Sequence, residues 1–198
     1  MNSYLLLMAM ALPGDTLRVP PGRVASLDGR IDPLEWAGAT ITSLSDGTEV
    51  LWMHDDRGVQ LAVRGAPAIV SVCLARGDTV TVLHASAALG TARFVRADTG
   101  WRRVADFVWD RSAQDGDGRE AAGEWRASPR GRPVELEIGM SRLGAPASVA
   151  VATMAPTIGR WPPELADDCG SLGLLMGTAP LLARFNPAAW SPVLVVQP

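Results

Sequence analysis

The sequence contains no lysine, and all 18 of its positively charged residues are arginine. This absence excludes functions that depend on a lysine amine, such as Schiff-base catalysis or phosphate binding by a Walker-type loop. The formal net charge of −3 is close to neutral, whereas nucleic-acid-binding domains usually carry a basic face. We therefore expect no lysine-dependent enzyme and no nucleic-acid partner.

Cysteine is scarce as well, since Cys73 and Cys169 are the only two in the chain. They lie too far apart to form a CxxC metal or redox motif. Two buried thiols are the favoured interpretation. A single disulfide, which would require an oxidising compartment, is the alternative.

No stretch of the chain approaches the ~20 apolar residues of a transmembrane helix, so we expect no transmembrane segment. Residues 4–12 are apolar and end in an Ala-x-Ala pattern, which resembles a secretory signal. We interpret residues 1–12 as a signal-like segment or an N-terminal strand. This favours a periplasmic or extracellular protein over a cytoplasmic one, with residues 13–198 forming a single domain.

The 20 glycines and 15 prolines divide the chain into short segments, many with the two-residue alternation of β-strands. Residues 48–54 and 59–64 flank an acidic turn and predict a β-hairpin. Residues 134–138 predict a strand whose glutamates, Glu135 and Glu137, face water. We predict an all-β protein, an antiparallel β-sandwich (jelly-roll-like) of about ten strands with short helical turns.

One segment, residues 27–39, combines a turn, a helix start and a large aromatic side chain. Asp28–Gly29 predicts a tight turn that includes a positive φ. Asp32 can cap the helical turn that Pro33 begins. Trp36 is then expected to be buried with its indole N–H satisfied.

This segment resembles the N-terminal signature of the family 9 carbohydrate-binding-module-like (DOMON-like) domains. The residues that carry the resemblance are Asp28, Gly29, Asp32, Glu35 and Trp36, and the hairpin that follows is a second match to the pattern. The resemblance implies a β-sandwich that acts as a non-catalytic module and binds a sugar or glycan fragment. A structural or interaction sandwich without a small ligand is the alternative function.

Carbohydrate-binding modules stack aromatic rings on sugars while polar side chains hold the hydroxyl groups. Four tryptophans, Trp101, Trp125, Trp161 and Trp190, are predicted at strand ends or in loops. The first three lie beside an arginine, and this pairing suits a polyol ligand. Trp36, Trp52 and Trp109 are predicted to lie in the core. The candidate ligand-binding residues are Trp101, Trp125, Trp161, Arg126 and Arg160.

The sequence offers little support for catalysis, metal or haem. Neither G-x-S-x-G nor H-E-x-x-H occurs, so we predict no enzyme and no cofactor. Asp115 and Asp117 resemble part of a calcium loop but lack the spacing of an EF-hand, so we interpret them as a solvated turn, with a structural calcium site as the alternative. Related sandwich domains carry haem b, some with a lysine ligand. This chain has no lysine, but His54, His84 and the seven methionines leave other haem ligand sets open.

Overall fold

The computed structural model describes residues 15–22, 26–65, 67–110, 119–121, 125–128, 134–139, 147–154, 156–165 and 168–196. Within these ranges the chain forms fifteen β-strands, one short α-helix and one 3-10 turn. The strands build two sheets that face each other, so the predicted all-β sandwich is confirmed, with more strands than the sequence indicates. The signal-like segment 1–12 lies outside the described residues.

The larger sheet has nine strands, and its neighbours are antiparallel except for the parallel pair β1 and β15. In spatial order its strands are β1 (Leu17–Val19), β15 (Ser191–Val195), β12 (Ser148–Met154), β5 (Ile69–Arg76), β6 (Thr79–Ala85), β7 (Leu89–Ala97), β8 (Gly100–Asp110) and β14 (Leu182–Ala183), with β13 (Ile158–Trp161) also paired to β12.

The smaller sheet has six antiparallel strands and contains the predicted hairpin, in which Trp52 lies opposite Leu61. In spatial order its strands are β2 (Thr40–Ser43), β3 (Glu49–His54), β4 (Gly58–Val63), β11 (Val134–Gly139), β10 (Trp125–Ala127) and β9 (Arg119–Ala121).

The main core lies between the two sheets, because alternate residues of each strand point to the same face. From the smaller sheet it receives Trp52, Leu61 and Trp125, and from the larger sheet Val72 and Val151 are typical members. The opposite faces of both sheets are also partly covered, each by a different part of the chain.

The C-terminal part of the chain covers the outer face of the larger sheet. It includes the helix α1 (Leu172–Leu175) and buries Phe185 and Trp190 against β5, β6 and β7. A disulfide between Cys73 on β5 and Cys169 fastens this covering segment to the sheet. The favoured interpretation of two free thiols is therefore wrong, because the covering segment brings Cys169 directly over β5.

Segment 27–39 covers the outer face of the smaller sheet. Gly29 has a φ of 79°, and Asp32 accepts the backbone N–H of Leu34 at 2.7 Å, as the sequence predicts. Trp36 is buried against Leu51 and Met53. Its indole N–H lies close to Glu135 but makes no hydrogen bond of ordinary geometry among the described residues.

Candidate functional site

A row of polar side chains crosses the outer face of the smaller sheet. The strand register sets this row, since Glu137 on β11 lies opposite both Gln60 on β4 and Arg126 on β10. The turn before β4 extends the row with Asp55 and Arg57. We call these five residues the polar strip.

Glu137 lies at the centre of the polar strip and is held from two sides. Its Oε1 accepts two N–H groups of Arg126, at 3.1 Å from Nε and 2.8 Å from Nη2. Its Oε2 lies 3.2 Å from Nη2 of Arg57 and accepts the Gln60 amide at 3.3 Å. Hydrogen bonds between charged groups are stronger than neutral ones, so these contacts hold the Glu137 side chain in a fixed orientation.

The two arginines of the polar strip remain accessible, although the groups they hold are buried. The side chains of Arg57 and Arg126 are 45% and 28% exposed, whereas Gln60 and Glu137 are buried. The strip carries two carboxylates and two guanidinium groups, so its charges balance. It can therefore present several fixed hydrogen-bond donors without attracting an ion of either sign.

Glu135 lies two residues before Glu137 and shares its face, but it is completely buried. Its Oε2 accepts the Gly29 N–H at 2.7 Å, while Oε1 has no partner among the described residues. Burial is the main cause that raises the Glu135 pKa to about 7. The Gly29 N–H and the Trp36 indole lower this pKa, and Asp28 and Glu35 raise it further.

The prediction that Glu135 and Glu137 face water is wrong for both residues. The alternation of the strand is as expected, and the glutamates do point away from the main core. Segment 27–39 covers the first glutamate, and the arginines of the polar strip shield the second. A pattern within one strand cannot reveal such covering groups.

Trp125 and Arg126 do not form a joint ligand contact, because neighbouring residues of a strand point to opposite faces. Trp125 is buried between the sheets, with its indole N–H donated to Thr91 at 2.9 Å. Arg126 belongs to the polar strip on the other face. Of the predicted ligand-binding residues, Arg126 is the one that the structure places among accessible, fixed polar groups.

Trp161 is separated in the same way from Arg160, whereas Arg96 of the neighbouring strand lies over the Trp101 ring, 4.8 Å from its centroid. Trp101 is buried on the outer face of the larger sheet and donates its N–H to the Phe185 carbonyl at 2.8 Å. Trp161 is half-buried and packs on Trp52, with ring centroids 5.9 Å apart. Arg160 donates to the Gly170 carbonyl at 3.3 Å. The three candidate tryptophans therefore do not converge on one surface.

Of the three tryptophans predicted to lie in the core, two are buried and one is partly exposed. Trp36 and Trp52 are buried, as predicted. Trp109 stacks on Phe107 with centroids 5.1 Å apart, but it is 37% exposed and so lies at the margin of the outer cluster rather than in the core.

Both histidines are buried, and each already contacts other groups of the protein, which does not favour haem ligation. His54 Nε2 lies 2.8 Å from the Val196 carbonyl oxygen. His84 packs between Phe107 and Trp109, and burial lowers its pKa to about 4 while a hydrogen bond to the Leu174 backbone opposes this.

The described ranges contain neither a cluster of metal ligands nor a membrane-spanning helix. Asp115 and Asp117 lie outside them, and within them no group of three His, Cys, Asp or Glu side chains could hold a metal ion. The same ranges contain no helix of the length and apolarity needed to cross a bilayer.

The polar strip was only partly visible in the sequence. The acidic turn at Asp55 and the alternating glutamates of β11 were each recognisable, but the pairing of β4 with β11 joins residues far apart in the chain.

Searches for similarity find no matching protein family, no matching curated protein and no matching solved structure.

Proposed function

We propose that this protein is a non-catalytic binding module that holds a hydroxyl-rich ligand, such as a sugar or glycan fragment, on the polar strip. The observation that carries this proposal is the fixed position of Glu137 between two accessible arginines. Guanidinium groups held in place by a carboxylate retain further N–H donors that can bind ligand hydroxyl groups.

The charge balance of the polar strip supports a neutral ligand over an anionic one. Each guanidinium already faces a carboxylate, so a phosphate or sulfate would compete with Glu137 or Asp55 rather than fill an empty positive site. The resemblance of segment 27–39 to family 9 carbohydrate-binding-module-like domains points to the same class of ligand. The tryptophans play no part in this proposal.

Titration calorimetry with a panel of mono- and oligosaccharides tests the proposal. We expect Arg126→Ala to weaken binding by about tenfold or more, because a charged hydrogen bond contributes roughly 1.5–3 kcal/mol. Arg64→Ala is the matched control, since Arg64 pairs with Glu49 at 2.9 Å outside the polar strip. The proposal fails if no sugar binds the folded protein, or if both variants bind as the wild type does.

A second candidate is an interaction module without a small ligand. Most of the exposed large apolar side chains lie on β8 or in residues 172–182, and they include Val104, Val108, Leu181 and Leu182. Such side chains are typical of a surface that contacts another protein. A partner that binds the wild type but not Leu181→Ser/Leu182→Ser, together with no binding across the sugar panel, would favour this candidate.

The disulfide supports the proposal that the protein functions in the periplasm or outside the cell. Disulfides persist in oxidising compartments and are rare in the cytosol. Alkylation of free thiols at the moment of cell lysis, followed by mass spectrometry, should leave Cys73 and Cys169 unmodified. Alkylation of both residues would contradict an oxidising location.

A further inference from the structure

We propose that Glu135 and residues 28–36 form a pH-sensitive latch on the outer face of the smaller sheet, which opens when Glu135 loses its proton. We call residues 28–36 the latch segment. This inference goes beyond the proposed function, because it concerns the protein without any ligand.

Two contacts hold the latch segment in its closed position. At one end the Gly29 N–H donates to Oε2 of Glu135 at 2.7 Å. At the other end the Trp36 ring packs on Leu51, Met53 and Ala62. The first contact depends on a side chain that can change its charge, whereas the second is apolar and does not.

The surroundings of Glu135 suit a neutral carboxylic acid better than a carboxylate. One oxygen accepts a single N–H, and the other has no partner within the described ranges. The Trp36 indole N–H lies nearby and also lacks a partner of ordinary hydrogen-bond geometry there. A buried carboxylate normally requires several donors or a paired cation, because loss of its hydration is costly.

Among the described residues, no charged group supplies that cation. On the latch segment, Asp28 and Glu35 are like charges that raise the Glu135 pKa. Arg30 and Asp32 of the same segment are exposed. On the sheet, Arg126 faces Glu137 and Arg64 faces Glu49, so both nearby strand arginines are bound to other carboxylates.

Ionisation therefore favours release of the latch segment. An open segment lets water reach the carboxylate and separates it from Asp28 and Glu35. Opening also uncovers the apolar side chains of Leu51 and Met53 beside the polar strip. High pH therefore stabilises the open state, whereas the loss of apolar burial destabilises it. Opposing contributions of this kind allow a reversible equilibrium between two states.

Hydrogen exchange measured by NMR on the ligand-free protein tests the latch. The reporters are the amides of Gly29, Trp36 and Ala39, which donate to Glu135, Asp32 and Trp36. After correction for intrinsic exchange rates, we expect the population of the open segment to rise by about seventy-fold from pH 5 to pH 8. At pH 8 these amides should also exchange faster than the Val82 amide in β6.

Two variants and a control make the result decisive. Glu135→Gln should abolish the rise with pH, while Asp98→Asn, in an exposed turn of the larger sheet, should keep it. If Glu135→Gln does not fold, Asp28→Asn/Glu35→Gln should reduce the rise, because it removes the two like charges. The proposal is overturned if exchange in the wild type is independent of pH, or if the rise with pH persists in Glu135→Gln. It is also overturned if the amides of the latch segment exchange only as slowly as the Val82 amide.

Discussion

The indole N–H of Trp125 on the smaller sheet donates to the Thr91 hydroxyl on the larger sheet across 2.9 Å. Both residues are buried, so this hydrogen bond joins the two sheets within the main core. Trp125 is thereby held as part of the packing and is not available to stack on a ligand.

Replacing Thr91 with valine should leave the buried Trp125 N–H without a partner. Because the two side chains have nearly the same shape, we expect the free energy of unfolding to fall by about 1–3 kcal/mol with little change in packing. Denaturant unfolding followed by tryptophan fluorescence measures this. Thr79→Val, at a half-buried position of β6, should change stability far less, and equal losses in both variants would contradict the assigned role of the bond.

Removing the disulfide should strongly destabilise the protein. The link between Cys73 and Cys169 spans a sequence separation of 96 residues, and a loop of this length is expected to contribute about 3–5 kcal/mol. Cys73→Ala/Cys169→Ala should therefore unfold at much lower denaturant concentration than the oxidised wild type. A double variant as stable as the wild type would show that the covering segment is held without the covalent link.

Burial of neutral His84 should make its contribution to stability depend on pH. The pKa falls from 6.5 to about 4 in the folded state, so between these values the unfolded chain binds a proton that the folded protein does not. The stability that His84 contributes above pH 6.5 is therefore lost as the pH falls towards 4, by about 3 kcal/mol in total.

The comparison of wild type with His84→Gln isolates this effect. Unfolding free energies measured from pH 4 to pH 7.5 are subtracted at each pH, which cancels titration of other groups such as Glu135. We expect the wild type to gain stability relative to the variant as the pH rises. A difference that stays constant over this range would rule out the neutral, buried state of His84.

Asp168 should be essential for anchoring the C-terminal covering segment. Its Oδ2 accepts the Asn186 N–H at 2.6 Å and the Trp190 indole N–H at 3.1 Å. Asp168→Ala leaves both donors unpaired, and we expect a loss of about 2–4 kcal/mol in unfolding free energy. Thermal unfolding of this variant beside Asp98→Ala, in an exposed turn, measures the loss, and similar melting temperatures would refute it.

Local features of the fold were predictable from the sequence. The turn at Gly29, the cap at Asp32 and the hairpin around Asp55 depend on neighbouring residues only, and the structure confirms them. Strand alternation also identified which side chains of β11 point away from the main core. These features follow from backbone geometry over a few residues.

The candidate site was not predictable in the same way. Burial of Glu135 depends on a segment about a hundred residues earlier in the chain, and the polar strip depends on the pairing of β4 with β11. The expectation that an arginine next to a tryptophan shares its ligand failed at Trp125 and Arg126, because both residues lie within a strand. Long-range contacts decided each of these outcomes.

The order of strands in the larger sheet constrains how the chain can be made. Among the described strands, β1 pairs only with β15, where Leu17 lies beside Val193. Cys169 and Trp190, which cover the outer face of this sheet, also come late in the sequence. The pairing of β1 and the cover over the outer face are therefore long-range contacts, which form only after most of the described strands have been synthesised.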